Sequence, residues 1–326
     1  MIARKSRKCY TIQKEVAAVM IVLWIVMILA ILILSASYVC FRLTFYVTKK
    51  QRTPKEEFEI PPGKIYEPHR EQMTAWMKEA RAMPHEEFSI TSFDGLKLYG
   101  KYYEYAPGAP IELMFHGYRG NAERDLCGGI QRCFSIGRSA LIVDQRGSGK
   151  SDGSVISFGI NEHRDCLGWV NFMISHFGKD VRIYLTGISM GASTVLMAAG
   201  KPLPPHVIGV VADCGFTSAK AIIQKVVRQL KLPAFLIYPL IKLGARLWGG
   251  FKLEEYSAIE AMKTIRVPVI FAHGLTDDFV PWEMSQENYD ACASRKKHLC
   301  TIPDCGHGLA FLIDPEGYKK ALKTFD

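Results

Sequence analysis

The five residues Gly187-Ile188-Ser189-Met190-Gly191 constrain this chain more than any other stretch. They match G-x-S-x-G and stand between a β-branched run, Val181 to Thr186, and a run of small residues from Ala192 to Ala199. A strand that feeds straight into a helix through such a turn presents the serine hydroxyl at the strand's end, and glycines on either side let the two backbones pass without a Cβ collision. A plain strand-to-helix turn with a serine cap uses the same residue types. The pattern therefore gains meaning only from partners elsewhere in the chain.

The flanking sequence has a strand–helix rhythm. Phe88 to Ser92, a turn at Asp94-Gly95 and the alternating run Leu96 to Tyr105 predict a β-hairpin. Beyond it, short apolar strands at 111–115, 140–143, 181–186, 207–212, 267–272 and 298–302 alternate with helical stretches at 122–136, 161–176, 192–199 and from Leu309 onward. That alternation predicts a mostly parallel sheet with helices on both faces and an antiparallel edge made by the hairpin. An insertion over about 214–264 places Ile222, Ile223, Val226, Val227 and Leu230 at helical spacing and is strongly apolar from Leu232 to Leu247. It is expected to form a helical cap over Ser189.

Ahead of this pattern, no charged residue occurs from Val16 to Phe41. At about 1.5 Å per helical residue the run exceeds a hydrocarbon core of about 30 Å, so it predicts one transmembrane helix. It also explains the net charge of +9: residues 1–55 carry ten basic side chains against Glu15 alone, and the rest of the chain is balanced. The excess belongs to the anchor's flanks, which removes the case for a nucleic-acid surface. The cluster Arg4, Lys5, Arg7, Lys8 and Lys14 on a short tail favours the N-terminus inside and the following domain outside. The expected division is a basic tail at 1–15, an anchor at 16–41, a linker at 42–66 broken by Pro61-Pro62-Gly63, and a domain at 67–326 that begins with an amphipathic helix to Met83. The nine cysteines are odd in number and include no C-x-x-C pair, so they read as small buried hydrophobes.

Three loops supply partners for Ser189. Phe115-His116-Gly117-Tyr118-Arg119-Gly120-Asn121 follows a strand where an oxyanion donor is needed, and Tyr118 N–H together with Met190 N–H are the expected pair. His116 there is read as shaping the loop. His273-Gly274-Leu275-Thr276-Asp277-Asp278 follows another strand and offers an acid, with Asp213, after the preceding strand, in reserve. Asp304-Cys305-Gly306-His307-Gly308 places an imidazole on a glycine-flanked loop, the expected general base.

With these residues in place, the chain from about Phe88 to Phe325 resembles the α/β-hydrolase superfamily, and within it bacterial membrane-anchored hydrolases of the cell-surface type, related to the prolyl-oligopeptidase-like and serine-aminopeptidase-like branches. The carrying segments are H-G-Y-R-G-N at 116–121, D-Q-R-G-S-G-K-S at 144–151, G-I-S-M-G at 187–191, D-C-G-F-T-S at 213–218, H-G-L-T-D-D-F-V-P at 273–281 and C-G-H-G at 305–308. The resemblance implies an α/β-hydrolase fold of about eight strands with a helical cap, Ser189 as nucleophile, Asp277 rather than Asp278 as the acid, His307 as base, no metal or organic cofactor, and a bacterial plasma membrane location. Gly147 departs from the larger residue common in related chains. Four activities stay open: hydrolysis of carboxylic esters, lipid-like or short, which the apolar insertion and anchor favour; hydrolysis of peptides or amides; hydrolysis of thioesters; and a binding role on the same scaffold.

Overall fold

Eight strands form one sheet in the order β1-β2-β4-β3-β5-β6-β7-β8 in a computed structural model that describes residues 2–324. Met1, Phe325 and Asp326, and the side chains of the N-terminal basic cluster and of Cys9, lie outside the described residues. The strands are β1 (Glu86–Thr91), β2 (Lys97–Tyr103), β3 (Ile111–Phe115), β4 (Ser139–Val143), β5 (Ile183–Ile188), β6 (Val207–Asp213), β7 (Val269–Gly274) and β8 (Lys297–Ile302). β2 is antiparallel to both β1 and β4, and every other pairing is parallel. The helices are α1 (Ile2–Thr44), α2 (Lys49–Arg52), α3 (Arg70–Ala82), α4 (Ala122–Ser135), α5 (Glu162–Phe177), α6 (Met190–Ala199), α7 (Ala219–Gln229), α8 (Ala234–Leu247), α9 (Ala258–Met262), α10 (Glu283–Ala291), α11 (Ala310–Ile313) and α12 (Pro315–Lys323).

Burial follows from this layering. β3, β4 and β7 are buried at every position, as parallel strands covered on both faces must be, while the edge strand β1 has no buried residue. Side chains alternate between two cores. Leu113 and Phe115 face one with Trp169, Met173 and Val195, and Met114 and Ile142 face the other with Leu126, Ile130 and Cys133. The second face also holds a buried charge cluster, in which the Glu112 carboxylate accepts from Arg138 at 2.9 Å, from Thr186 Oγ1 at 2.8 Å and from Arg132. The eight cysteines with described side chains are unpaired, and six of them are buried.

The N-terminal segment differs from its expected outline. Among the described residues, one helix is long and apolar enough to cross a membrane, Ala17–Thr44, and a signal sequence has the same signature. Its side chains are exposed from Ala17 to Ser35, then Ser37 and Phe41 become buried. The stretch 42–66, expected as a linker, is packed into the domain. Phe45 is fully buried with its ring edge-on to Phe158 at 5.8 Å and to Phe251 at 5.3 Å, and Val47 N donates to Ser154 O at 2.8 Å. The reason is chemical: Phe41, Phe45 and Val47 are apolar groups in a charge-rich neighbourhood, and burying each large side chain is worth about 1.5–3 kcal/mol.

The insertion is helical, as expected, but its apolar residues serve a different surface. α8 packs along the end of α1, where a Cβ on Gly244 would lie 2.6 Å from Ser37 O, so glycine is what permits the approach. Ile222, Ile223 and Val227 of α7 enter the main core. None of the walls of the cavity above Ser189 comes from 214–264.

Candidate active site

Ser189 sits on the turn between β5 and α6 with φ 56° and ψ −118°, in a region L-residues seldom occupy. The turn is tight enough that a Cβ on Gly187 would lie 2.1 Å from Gly191 O, and a Cβ on Gly191 would lie 2.0 Å from Phe115 O. Both positions therefore exclude any side chain. The hydroxyl is lifted off the strand end towards a cavity of about 520 Å³. Lining it are Ile188, Tyr118, Arg119, Asp278, Phe279 and His307 from the sheet's loops, and Pro61 to Tyr66 from the segment before α3.

His307 arrives from the loop after β8. Its Nε2 lies 2.9 Å from Ser189 Oγ and its Nδ1 2.6 Å from Asp277 Oδ2. A carboxylate only accepts, so Nδ1 carries the proton and the Nε2 lone pair faces the serine hydroxyl. Asp277, after β7, is held by four donors: Phe279 N and Val280 N at 2.9 Å on Oδ1, and His307 Nδ1 and His273 Nε2, the latter at 3.1 Å, on Oδ2. Burial works to raise this carboxyl, but the hydrogen bonds from His273 and His307 and the backbone carry it well below the usual carboxylate range. It stays an anion beside the imidazole, and the set can move a proton from hydroxyl to imidazole while a charge develops on the ring.

The remaining sequence candidates fall out as follows. Asp213 lends only its backbone near the serine, its O accepting from Ser189 N at 2.8 Å, while its buried carboxyl turns to Tyr318. Asp278 offers its carbonyl to Gln229 Nε2 at 3.0 Å and to Lys225 Nζ. His116 braces the loop after β3, where its Nε2 accepts from Gln145 N at 3.0 Å. Gly117 lies against the serine, since a Cβ there would be 3.8 Å from Ser189 Oγ, and Tyr118, the next residue, lines the same cavity. Asp125 Oδ2 accepts from Gly117 N at 3.2 Å and fixes that loop.

Two residues escaped the sequence reading. His273 is fully buried, and its Nε2 also reaches Val280 O at 2.9 Å, an acceptor, so Nε2 donates and Nδ1 accepts from Ser285 Oγ at 2.7 Å. It locks Asp277 in place. The H-x-x-x-D spacing was a visible signal for it. Tyr66 Oη donates to His307 O at 3.0 Å and ties the cavity's roof to the imidazole loop, a contact across 241 positions that no local pattern announces.

One metal-type grouping occurs among the described residues, Cys214, Asp277 and His307, with ligand atoms within 4.8 Å of one another. Two of its members are already bonded to each other, and burial followed by the nearby Asp213 and Asp277 pushes the Cys214 thiol far up, away from the thiolate a metal needs.

Comparison with known proteins agrees with this fold. Residues 113–238 match the family model described as the alpha/beta hydrolase fold. The chain is 26% identical to YqkD of Bacillus subtilis over 58% of its own length and 62% of that protein's, so it spans under two thirds of that relative. It is also 26% identical to YfhR of Escherichia coli, over 84% of this chain and 87% of that one, and to Bem46 of Schizosaccharomyces pombe, over 66% and 67%. Among solved structures, the esterase Pf2001 of Pyrococcus furiosus aligns with a TM-score of 0.63 at 22% identity, covering 82% of this chain and 95% of that one. Est1E of Butyrivibrio proteoclasticus, solved with ferulic acid, aligns at 0.54 and 19%, covering 72% and 98%. Strand order, the turn at Ser189 and these matches converge: the chain has the alpha/beta-hydrolase fold.

Proposed function

We propose that this chain is a membrane-anchored serine hydrolase that cleaves carboxylic esters through an acyl-enzyme. The observation that carries the reading is the continuous path from Ser189 Oγ through His307 to Asp277, at 2.9 and 2.6 Å, opening into a largely apolar cavity. His307 takes the Ser189 proton as Oγ attacks the carbonyl, and Asp277 stabilises the imidazolium that results. The Tyr118 and Met190 amides receive the oxyanion, and the protonated His307 passes its proton to the leaving alcohol. Water, activated by the same imidazole, then releases the acid and regenerates Ser189. The likeness to the esterase Pf2001 supports esters over amides as the substrate class. The apolar N-terminal helix supports a single-pass anchor, with the basic tail inside and the hydrolase domain outside the plasma membrane.

Ser189→Ala tests the assignment. Turnover of p-nitrophenyl acetate should fall by roughly 10⁶-fold with the melting temperature unchanged. Undiminished turnover removes the assignment. Fluorophosphonate labelling of intact cells reads nucleophile and sidedness together: label on the wild type and none on the alanine variant is expected, and labelling only after lysis reverses the orientation.

A further inference from the structure

The end of α1 is bonded to the loop that carries one of the proposed oxyanion donors. Tyr118 Oη donates to Thr44 O at 2.7 Å, and Arg119 Nη2 donates to Leu43 O at 2.8 Å and to Tyr46 O at 3.3 Å. These carbonyls belong to the helix's last turn and the residues just beyond it, where main-chain acceptors lack helical partners. Because Phe41, Phe45 and Val47 are buried as well, the domain cannot swing about a hinge at this junction. The anchor sets the height of the site.

That height can be read from the helix. The all-exposed stretch Ala17–Ser35 spans nineteen residues, about 28 Å at the helical rise, which matches a hydrocarbon core of about 30 Å. Tyr38, half a turn to a turn beyond, stacks edge-on with Trp248 at 5.4 Å, and both rings are partly open to solvent beside Arg42 and Arg246. Tyrosine, tryptophan and arginine are the residues that settle at the headgroup level. From Ser35 to Thr44 the helix rises a further ~14 Å, and headgroups occupy about 5–8 Å of it, so the Tyr118 loop lies just past the headgroups. Leu43 at the helix end is 70% exposed, and Phe279 at 41% and Ile65 at 40% line the cavity.

Resting on the reading of Ser189 as nucleophile and α1 as a membrane span, we infer that the substrate is an acyl ester residing in the bilayer surface, lifted out by part of its acyl chain into the cavity. The cavity's apolar wall offsets the bilayer contact that the chain gives up. A freely diffusing ester gains nothing from the fixed height.

The test uses the full chain in phosphatidylcholine vesicles and two probes, a long-chain p-nitrophenyl ester dispersed in the same vesicles and p-nitrophenyl acetate in solution. A polar helical insert of two turns between Ser35 and Ala36 raises the domain by about 11 Å. Hydrolysis of the vesicle-borne ester should drop by roughly tenfold or more while acetate turnover holds, because the effective concentration of a tethered site depends on whether its span fits. The same insert between Lys14 and Glu15 lengthens the chain without lifting the domain and should change neither rate. Wild-type rates on both probes with the Ser35/Ala36 insert overturn the inference. If that insert lowers both rates, a flexible Gly-Ser linker of equal length at the same junction decides: recovery of acetate turnover with the vesicle rate still depressed supports it, and any other outcome refutes it. Absence of acetate turnover in the wild type would instead strike at the hydrolase reading itself.

Discussion

Glu112 and Asp277 are both buried carboxylates, and the fold treats them in opposite ways. Glu112 lies in the middle of β3 and meets two guanidinium groups and a hydroxyl. Asp277 lies past the carboxyl end of β7 and meets two imidazoles and two amides. Burial opposes ionisation at both, and the partners overcome it at both. The difference is in what the partners can do next. A guanidinium never surrenders its proton, so the Glu112 cluster is a closed, fixed-charge unit inside the sheet. An imidazole can both take up and release a proton, and His307 stands next to a hydroxyl on a cavity wall. A buried charge thus marks chemistry only when its partner is labile and its site lies at the strand ends, where ligands reach an open α/β sheet.

Four substitutions or titrations sharpen that contrast. Asp277→Asn should lower kcat for p-nitrophenyl acetate by about 10⁴-fold, since the amide favours the wrong imidazole tautomer, with the fold retained. A loss below tenfold would put Asp277 in the same purely structural category as Glu112. Glu112→Gln should leave kcat per folded molecule unchanged but lower unfolding free energy by about 3–5 kcal/mol, because two buried guanidinium groups lose their counter-charge. Denaturant titration reads this, and an equal loss of kcat in folded protein would erase the distinction. His273→Asn should reduce kcat by roughly 10- to 100-fold through misplacement of Asp277, with KM little changed. A positioning role also predicts a displaced acid limb in the pH–rate profile; an intact profile with only a lower melting temperature would reduce His273 to packing. The smallest effect is on acid stability. Both carboxyls are depressed in the folded state, so each contributes stability that is present above about pH 4.5 and is lost as pH falls through the folded value. Asp277→Asn and Glu112→Gln should each flatten the acid-side decline, and an unchanged slope would contradict the depressed values.

Much of this layout was legible in the sequence because the chemistry sits in short segments at strand ends. The G-I-S-M-G turn, the acid after β7 and the histidine after β8 are each bracketed by recognisable strands, so their convergence follows from a parallel sheet. The strand boundaries slipped by two residues at β5 and β7, where glycine and histidine continue the ladder despite their low strand propensity. The role of 214–264 was not legible: apolar spacing shows that a helix is buried, but not against what. α8 spends its apolar face on the end of α1, and the roof over Ser189 comes from Pro61 to Tyr66, a stretch whose prolines and glycine suggested only a linker.

The docking of α1 has a practical consequence for anyone wishing to shorten this chain. Trimming an anchored protein at the end of its hydrophobic run normally leaves the catalytic unit intact. Here a cut after residue 44 would strip out Phe41, leave Phe45 and Val47 on a frayed end, and discard the Thr44 and Leu43 carbonyls that Tyr118 and Arg119 use. The sound place to begin a shortened chain is Ala36 or just before it, so that the final turns of the helix travel with the enzyme as an integral strut.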